Sequence, residues 1–168
     1  LLVQSSYHNL ITAVQAGDTA QAQQWLLVRD YRPSTRFTRP GADATLALRE
    51  IGTQPNEEVL ARINADLLDT YQARLAEQLE TIGDTTTLAV HRAEAAGYAT
   101  AVWPLLAPAY QEQMGLDAAA TISTTFSTLL QAIIHDDQQT IQTLSQELLT
   151  VLQSFRAAPL TPTEQARR

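Results

Sequence analysis

The stretch from about residue 57 to 82 constrains this chain more than any other. Pro55-Asn56-Glu57-Glu58 opens it, with Asn56 as an N-cap and two acids on the positive end of a helix dipole. Leu60, Ile63, Leu67, Leu68, Tyr71, Leu75, Leu79 and Ile82 come after it. Steps of three and four are the spacing of one helix face, and steps of four dominate, so the stripe drifts slowly around the axis. A helix this long is stable only when that stripe is buried, and helical segments are what the rest of the chain offers.

Residues 2–16 place Val3, Tyr7, Leu10, Ile11 and Val14 at helical spacing. Gly17-Asp18 ends that helix and caps a second, which carries Trp25, Leu26 and Val28 to about Tyr31. A short helix is predicted from Asp43 through Leu46 and Leu48, stopped by Gly52. After the long helix, Gly83 is a stop and Asp84 or Thr85 a cap. The next helix carries Leu88, His91, Ala95, Tyr98 and Val102, and Pro104 and Pro108 are expected to kink or break it near Trp103. Gly115 closes its continuation and Asp117 is the expected cap of the following helix, with Ile122, Phe126, Leu129, Leu130 and Ile133. Asp136-Asp137 turns the chain into a last helix with Ile141, Leu144, Leu148, Val151, Leu152 and Phe155 on one face. Leu10-Ile-Thr-Ala-Val-Gln-Ala-Gly-Asp18 echoes Leu129-Leu-Gln-Ala-Ile-Ile-His-Asp-Asp137, each a helix end, a tight turn and a new helix. The expected fold is therefore all-α: an antiparallel bundle of about six to seven helices, including two related helical hairpins.

At 168 residues, one domain with a real core is expected, spanning residues 1–158. Residues 159–168 read as a linker and the start of a further helix. Thr161-Pro-Thr-Glu164 is a capping box with Pro at the first helical position, so the chain reads as a piece of a longer polypeptide. No run approaches 18 uninterrupted apolar residues, the length class of a membrane-spanning helix. A net charge of −7 argues against nucleic acid as a partner. With no Cys there is neither a disulfide framework nor a thiolate metal site.

The chain has no Lys, so its positive charge is guanidinium, suited to paired carboxylates or phosphate. Arg29, Arg32, Arg36 and Arg39 fall within one stretch, bracketed by Pro33 and Pro40, that cannot be regular helix. This Arg-rich loop either ties helices together through Asp and Glu or binds an anionic ligand or partner. Asp43, Asp66 or Asp69 with Arg36 or Arg39 would make a carboxylate–guanidinium cluster that is costly to break if buried.

His91 and Glu94, three apart on one helix, have the spacing of carboxylate-rich metal sites in bundles. His91 falls within the stripe of Leu88, Ala95, Tyr98 and Val102, where a hydrogen-bonded core histidine is the ordinary alternative. Asp66 and Asp69 repeat the spacing: Asp66 flanks the apolar stripe, and Asp69 lies nearly opposite it, facing solvent unless the long helix packs on two sides. His8 and His135 read as solvated, Asp136-Asp137 as a turn and a cap with weak binding of a hard cation as the alternative, and Trp103-Pro104 with Pro108 and Tyr110 as core packing at the kink, with a partner surface as the alternative. No nucleophile elbow, zinc-protease helix, phosphate loop or glycine fingerprint is present, so no enzyme is expected.

Three stretches together resemble a known family. They are Ser34-Thr-Arg-Phe-Thr-Arg-Pro-Gly-Ala-Asp-Ala-Thr45, then Asp66-Leu-Leu-Asp-Thr-Tyr-Gln-Ala-Arg-Leu75, then Phe155-Arg-Ala-Ala-Pro-Leu with Glu164-Gln-Ala-Arg-Arg168. They resemble the soluble N-terminal region that precedes the transmembrane part in some bacterial high-affinity iron permeases. The resemblance implies an extracytoplasmic helical domain, tethered to the membrane by a permease portion of the same polypeptide. It would assist uptake of iron, or of another divalent metal, by capture, by gating, or by docking an iron-delivering periplasmic protein. The family's Arg-Glu-x-x-Glu transport motif is absent: Arg49-Glu50 is followed by Ile51, Gly52 and Thr53. Translocation residues therefore do not carry over. If metal is bound, the expected ligands are Asp66, Asp69, His91 and Glu94, with the Arg loop orienting carboxylates. The alternative is an interaction or sensor bundle, without a transport role, that uses the Arg loop for an anion or protein.

Overall fold

The computed structural model describes residues 2–27, 57–160 and 166, and among these it contains helices and no strand. The helices are α1 (Leu2–Gln15), α2 (Thr19–Leu27), α3 (Glu57–Gly83), α4 (Ala89–Met114), α5 (Leu116–Ile134) and α6 (Gln138–Ser154). The fold is all-α, as the spacing predicts. The end of the second helix beyond Leu27, the short helix near Asp43 and the capping box at Thr161 lie outside the described residues. The chain divides into two compact units, Leu1–Thr70 with Ala158–Arg168, and Tyr71–Ala157. α3 gives its first half to one and its second half to the other.

In the first unit, α1 and α2 form a hairpin. Leu10, Ala13, Val14 and Ala22 are buried, as are Ile63 and Leu67 on α3. The Tyr7 hydroxyl donates to Asn64 Oδ1, and burial pushes the Tyr7 phenol above its ordinary range.

The second unit is an antiparallel bundle of the end of α3 with α4, α5 and α6. Neighbours along it fix the directions. Gln72 meets Leu152 and Gly83 faces Ser145, so α3 and α6 run antiparallel. Arg92 meets Asp136 and Trp103 meets Ser123, so α4 and α5 do too. Leu75, Leu79, Ile82, Val102, Leu106, Leu129, Ile141, Leu148 and Leu152 fill the core.

The echo between the two hairpin turns holds bond for bond. In the first, the N–H groups of Ala16, Gly17 and Asp18 donate to Thr12, Val14 and Ala13 carbonyls at 3.0, 3.1 and 2.9 Å. In the second, His135, Asp136 and Asp137 donate to Gln131, Ile133 and Ala132 at 3.0, 3.2 and 2.9 Å. Both are helix ends closed by a residue in the left-handed region, Gly17 (φ 73°) and Asp136 (φ 54°). Asp is among the few side chains that tolerate that region. The next residue caps the new helix: Asp18 accepts from the Gln21 N–H at 2.9 Å and Asp137 from the Thr140 N–H at 3.2 Å.

The Asp137 carboxyl is held below its ordinary value of 3.8 by the Thr140 hydroxyl and then by the Thr140 N–H. Such a group stabilises the fold above its unfolded-state value, and the contribution is lost as pH falls through the lower folded-state value. Melting temperature is therefore expected to fall as pH drops below 3.8. Asp137→Asn, which keeps an acceptor oxygen but does not titrate, should make that fall shallower. An unchanged slope would show that the cap is not a source of acid sensitivity.

Three local expectations are corrected. Of the kink or break expected at the prolines of α4, the break does not occur: the helix runs through Pro104 and Pro108. Thr100, Pro104 and Pro108 share the exposed face, so the carbonyls that lose a donor, at Thr100 and Pro104, open to water. Trp103, Leu106 and Tyr110 hold the opposite face in the core. Asp84 does not cap α4, whose N-cap is Leu88 without a side-chain bond. Asp84 instead accepts from the Thr86 N–H and hydroxyl, each at 2.8 Å, closing the turn before it. Asp117 is not the cap of α5 either, because a single residue, Gly115 (φ 96°), joins α4 to α5 and occupies the cap position.

Candidate functional site

α3 places the first acid pair. Every residue from Ala65 to Ala73 is buried, so the middle of this helix is enclosed on all sides. Asp66 is 5% exposed and Asp69 only 2%. The expectation of a solvent-facing Asp69 is corrected, because the residue is buried. A buried carboxylate is costly unless it is compensated, and both acids are engaged with neighbouring groups. The Asp66 carbonyl also accepts the Thr70 hydroxyl at 2.7 Å.

α4 places the second pair. His91 Nδ1 lies 3.4 Å from Glu94 Oε2, with the side chains 61% and 72% exposed. The two meet as their spacing predicts, but on the surface. The stripe drawn through Leu88 and His91 is corrected, since both are exposed. The buried arc runs through Arg92, Ala95, Ala96, Ala99, Val102, Trp103, Leu106 and Tyr110. Ala95 and Val102 belong to both, and at about 100° per residue the buried arc is turned roughly 60° from the expected stripe.

Asp66 and Asp69 belong to one unit, and His91 and Glu94 to the other. Among the described residues, no three His, Cys, Asp or Glu come together in a group able to hold a metal ion. Arg29, Arg32, Arg36, Arg39 and Asp43 lie outside the described residues. His8 and His135 are exposed, and Asp136-Asp137 is the turn and cap that its sequence implies.

Sequence reasoning missed two buried polar residues. Arg92 is 4% exposed. Its Nη2 donates to the carbonyls of Asp84 at 3.2 Å and Thr87 at 3.3 Å, and its Nη1 lies 3.7 Å from Asp136 Oδ1. It closes the α3–α4 turn, with Asp136 of the α5–α6 turn beside it. Its signal was the Ala95-Ala96-x-x-Ala99 spacing just after it, which puts Arg92 on the inner face. Gln72 is buried between Tyr71 and Ala73 on a helix enclosed all round, and its amide holds the chain that leaves α6.

A family model described as the iron permease FTR1 N-terminal domain matches residues 1–151. No curated protein and no solved structure matches the chain.

Proposed function

This chain belongs to the iron permease FTR1 N-terminal domain family, and from that membership we propose that it is the extracytoplasmic helical part of an iron transporter, capturing iron for a membrane-embedded permease portion of the same polypeptide. Family membership is the observation that carries the reading. No described helix is long and apolar enough to cross a membrane, so these helices stand outside the translocation path in the proposal. Iron is the cargo. Hard carboxylate oxygens suit it, with an imidazole as an added ligand. The exposed His91–Glu94 pair is the first point of contact in this reading, and Asp66 with Asp69 is the second.

The test is an iron titration of the chain by calorimetry, with Asp66→Asn/Asp69→Asn and His91→Ala/Glu94→Ala as separate double variants. Saturable binding weakened about tenfold or more by one double variant, as expected when ligands or the groups that orient them are lost, assigns the pair that captures iron. Absence of saturable binding in the unaltered chain removes capture, and the role left is docking of an iron-delivering protein.

A further inference from the structure

α6 ends at Ser154, and the chain continues extended through Phe155 (φ −138°, ψ 170°). Two glutamine amides from other helices meet its backbone there. Gln72 Nε2 donates to the Leu152 and Phe155 carbonyls at 2.7 and 3.0 Å, and Gln72 Oε1 accepts from the Ala157 N–H at 2.9 Å. Gln113, near the end of α4, donates Nε2 to the Arg156 carbonyl at 2.8 Å and accepts from the Arg156 N–H at 3.3 Å. The same Nε2 also donates to the Ala109 carbonyl of its own helix at 3.0 Å, which holds the amide in position. The Phe155 ring stands edge-on to Tyr110 at 5.0 Å and to Trp103 at 6.5 Å.

We infer that residues 155–157 form a strap that opens as a unit while the helices stay folded. Helix bonds form cooperatively, so releasing one in mid-helix disturbs its neighbours. Bonds to a side-chain amide carry no such linkage, and each can be given up by rotating one side chain. The two amides differ in depth: Gln72 is buried, whereas the Gln113 bonds are exposed. Opening therefore starts at Gln113, and the buried Gln72 and Phe155 contacts close it again. Opening exposes Phe155 and Ala157, which are 8% and 1% exposed, so it is rare, yet it uncovers far less surface than unfolding the helices and lies below the global unfolding free energy.

Hydrogen exchange of the whole chain tests this without iron, so its outcome is separate from that of the capture reading. In the unaltered chain, Arg156 and Ala157 amides should exchange with little dependence on added urea, while α4 and α6 amides show a steep one. Gln113→Ala should speed Arg156 and Ala157 exchange roughly five- to thirty-fold, the effect of one or two lost bonds, with α4 and α6 protection unchanged. If the 155–157 amides share the urea dependence of α6, or if Gln113→Ala speeds the two regions together, the segment is an inseparable part of the helical core and the strap is overturned.

Discussion

Trp103→Ala is expected to lower the stability of the chain by about 3–5 kcal/mol, the range for deleting a large buried aromatic. The indole is 4% exposed and stands at the meeting of three other rings. Its centroid lies 5.3 Å from Phe126, 5.7 Å from Tyr110 and 6.5 Å from Phe155. These rings come from α4, α5 and the segment after α6, so the cavity left by alanine would loosen contacts among all three. Each aromatic pair is worth about 0.5–1.5 kcal/mol beyond its buried area. Trp103→Phe isolates the packing from the indole N–H, which donates to Ser123 Oγ at 3.0 Å. The Ser123 hydroxyl itself donates to the Ala119 carbonyl at 2.9 Å, so it keeps a partner when the indole is gone. Trp103→Phe should therefore cost roughly a third as much as Trp103→Ala. Urea unfolding followed by circular dichroism reads both. A loss under about 1 kcal/mol for Trp103→Ala would mean that the ring cluster is not packed as described.

Arg92→Ala is expected to cost about 2–4 kcal/mol, because hydrogen bonds from a charged donor are worth about 1.5–3 kcal/mol and the buried side-chain stem is lost as well. The guanidinium spans the Asp84 and Thr87 carbonyls, which lie on the turn between α3 and α4. Arg92→Lys should recover less than half of the loss, since the shorter side chain does not carry its ammonium as far as Nη2, which makes both carbonyl bonds. The carboxylate beside it contributes little: Asp136 is 76% exposed and 3.7 Å away, a geometry in which ion pairs are worth at most about 1 kcal/mol. Asp136→Asn should consequently be nearly silent. If it proved as damaging as Arg92→Ala, the ion pair to the α5–α6 turn, rather than the two carbonyls of the α3–α4 turn, would be the source of the stability that Arg92 supplies.

The helices and their ends were legible where the signal is local. α1 and α3 begin and end within a residue or so of where caps, glycines and spacing put them. The two hairpin turns repeat in their hydrogen bonds because their positions in sequence repeat: Gly17-Asp18 and Asp136-Asp137 each supply one left-handed residue and one cap. Where a cap was misplaced, at Asp84 and Asp117, several residues were chemically fit for the role. The choice fell to turn length, which a single Gly115 linker set in one case.

The candidate site was less legible. His91 and Glu94 were paired correctly by their spacing, yet assigned to the wrong side of α4. The apolar residues of that helix are spread around its axis, so periodicity gives no firm direction for the face that turns inward. Asp69 was placed opposite the stripe of α3, which is right as geometry but wrong as environment, because the residues on every side of it are buried.

What the sequence alone determined is therefore the all-α class, the positions of the described helices, the chemistry of their turns and the family, two of whose three recognised stretches lie within the matched residues 1–151. All of these rest on groups a few residues apart, whose interactions are fixed by the chain's own geometry. The tertiary structure decided how many neighbours each helix has. That number buried Asp66, Asp69, Arg92 and Gln72, let α4 run through two prolines on its wet face, and turned His91 out to solvent. A helical period measures an angle about one axis. Whether that angle points at water or at another helix depends on residues far along the chain, and only their packing settles it.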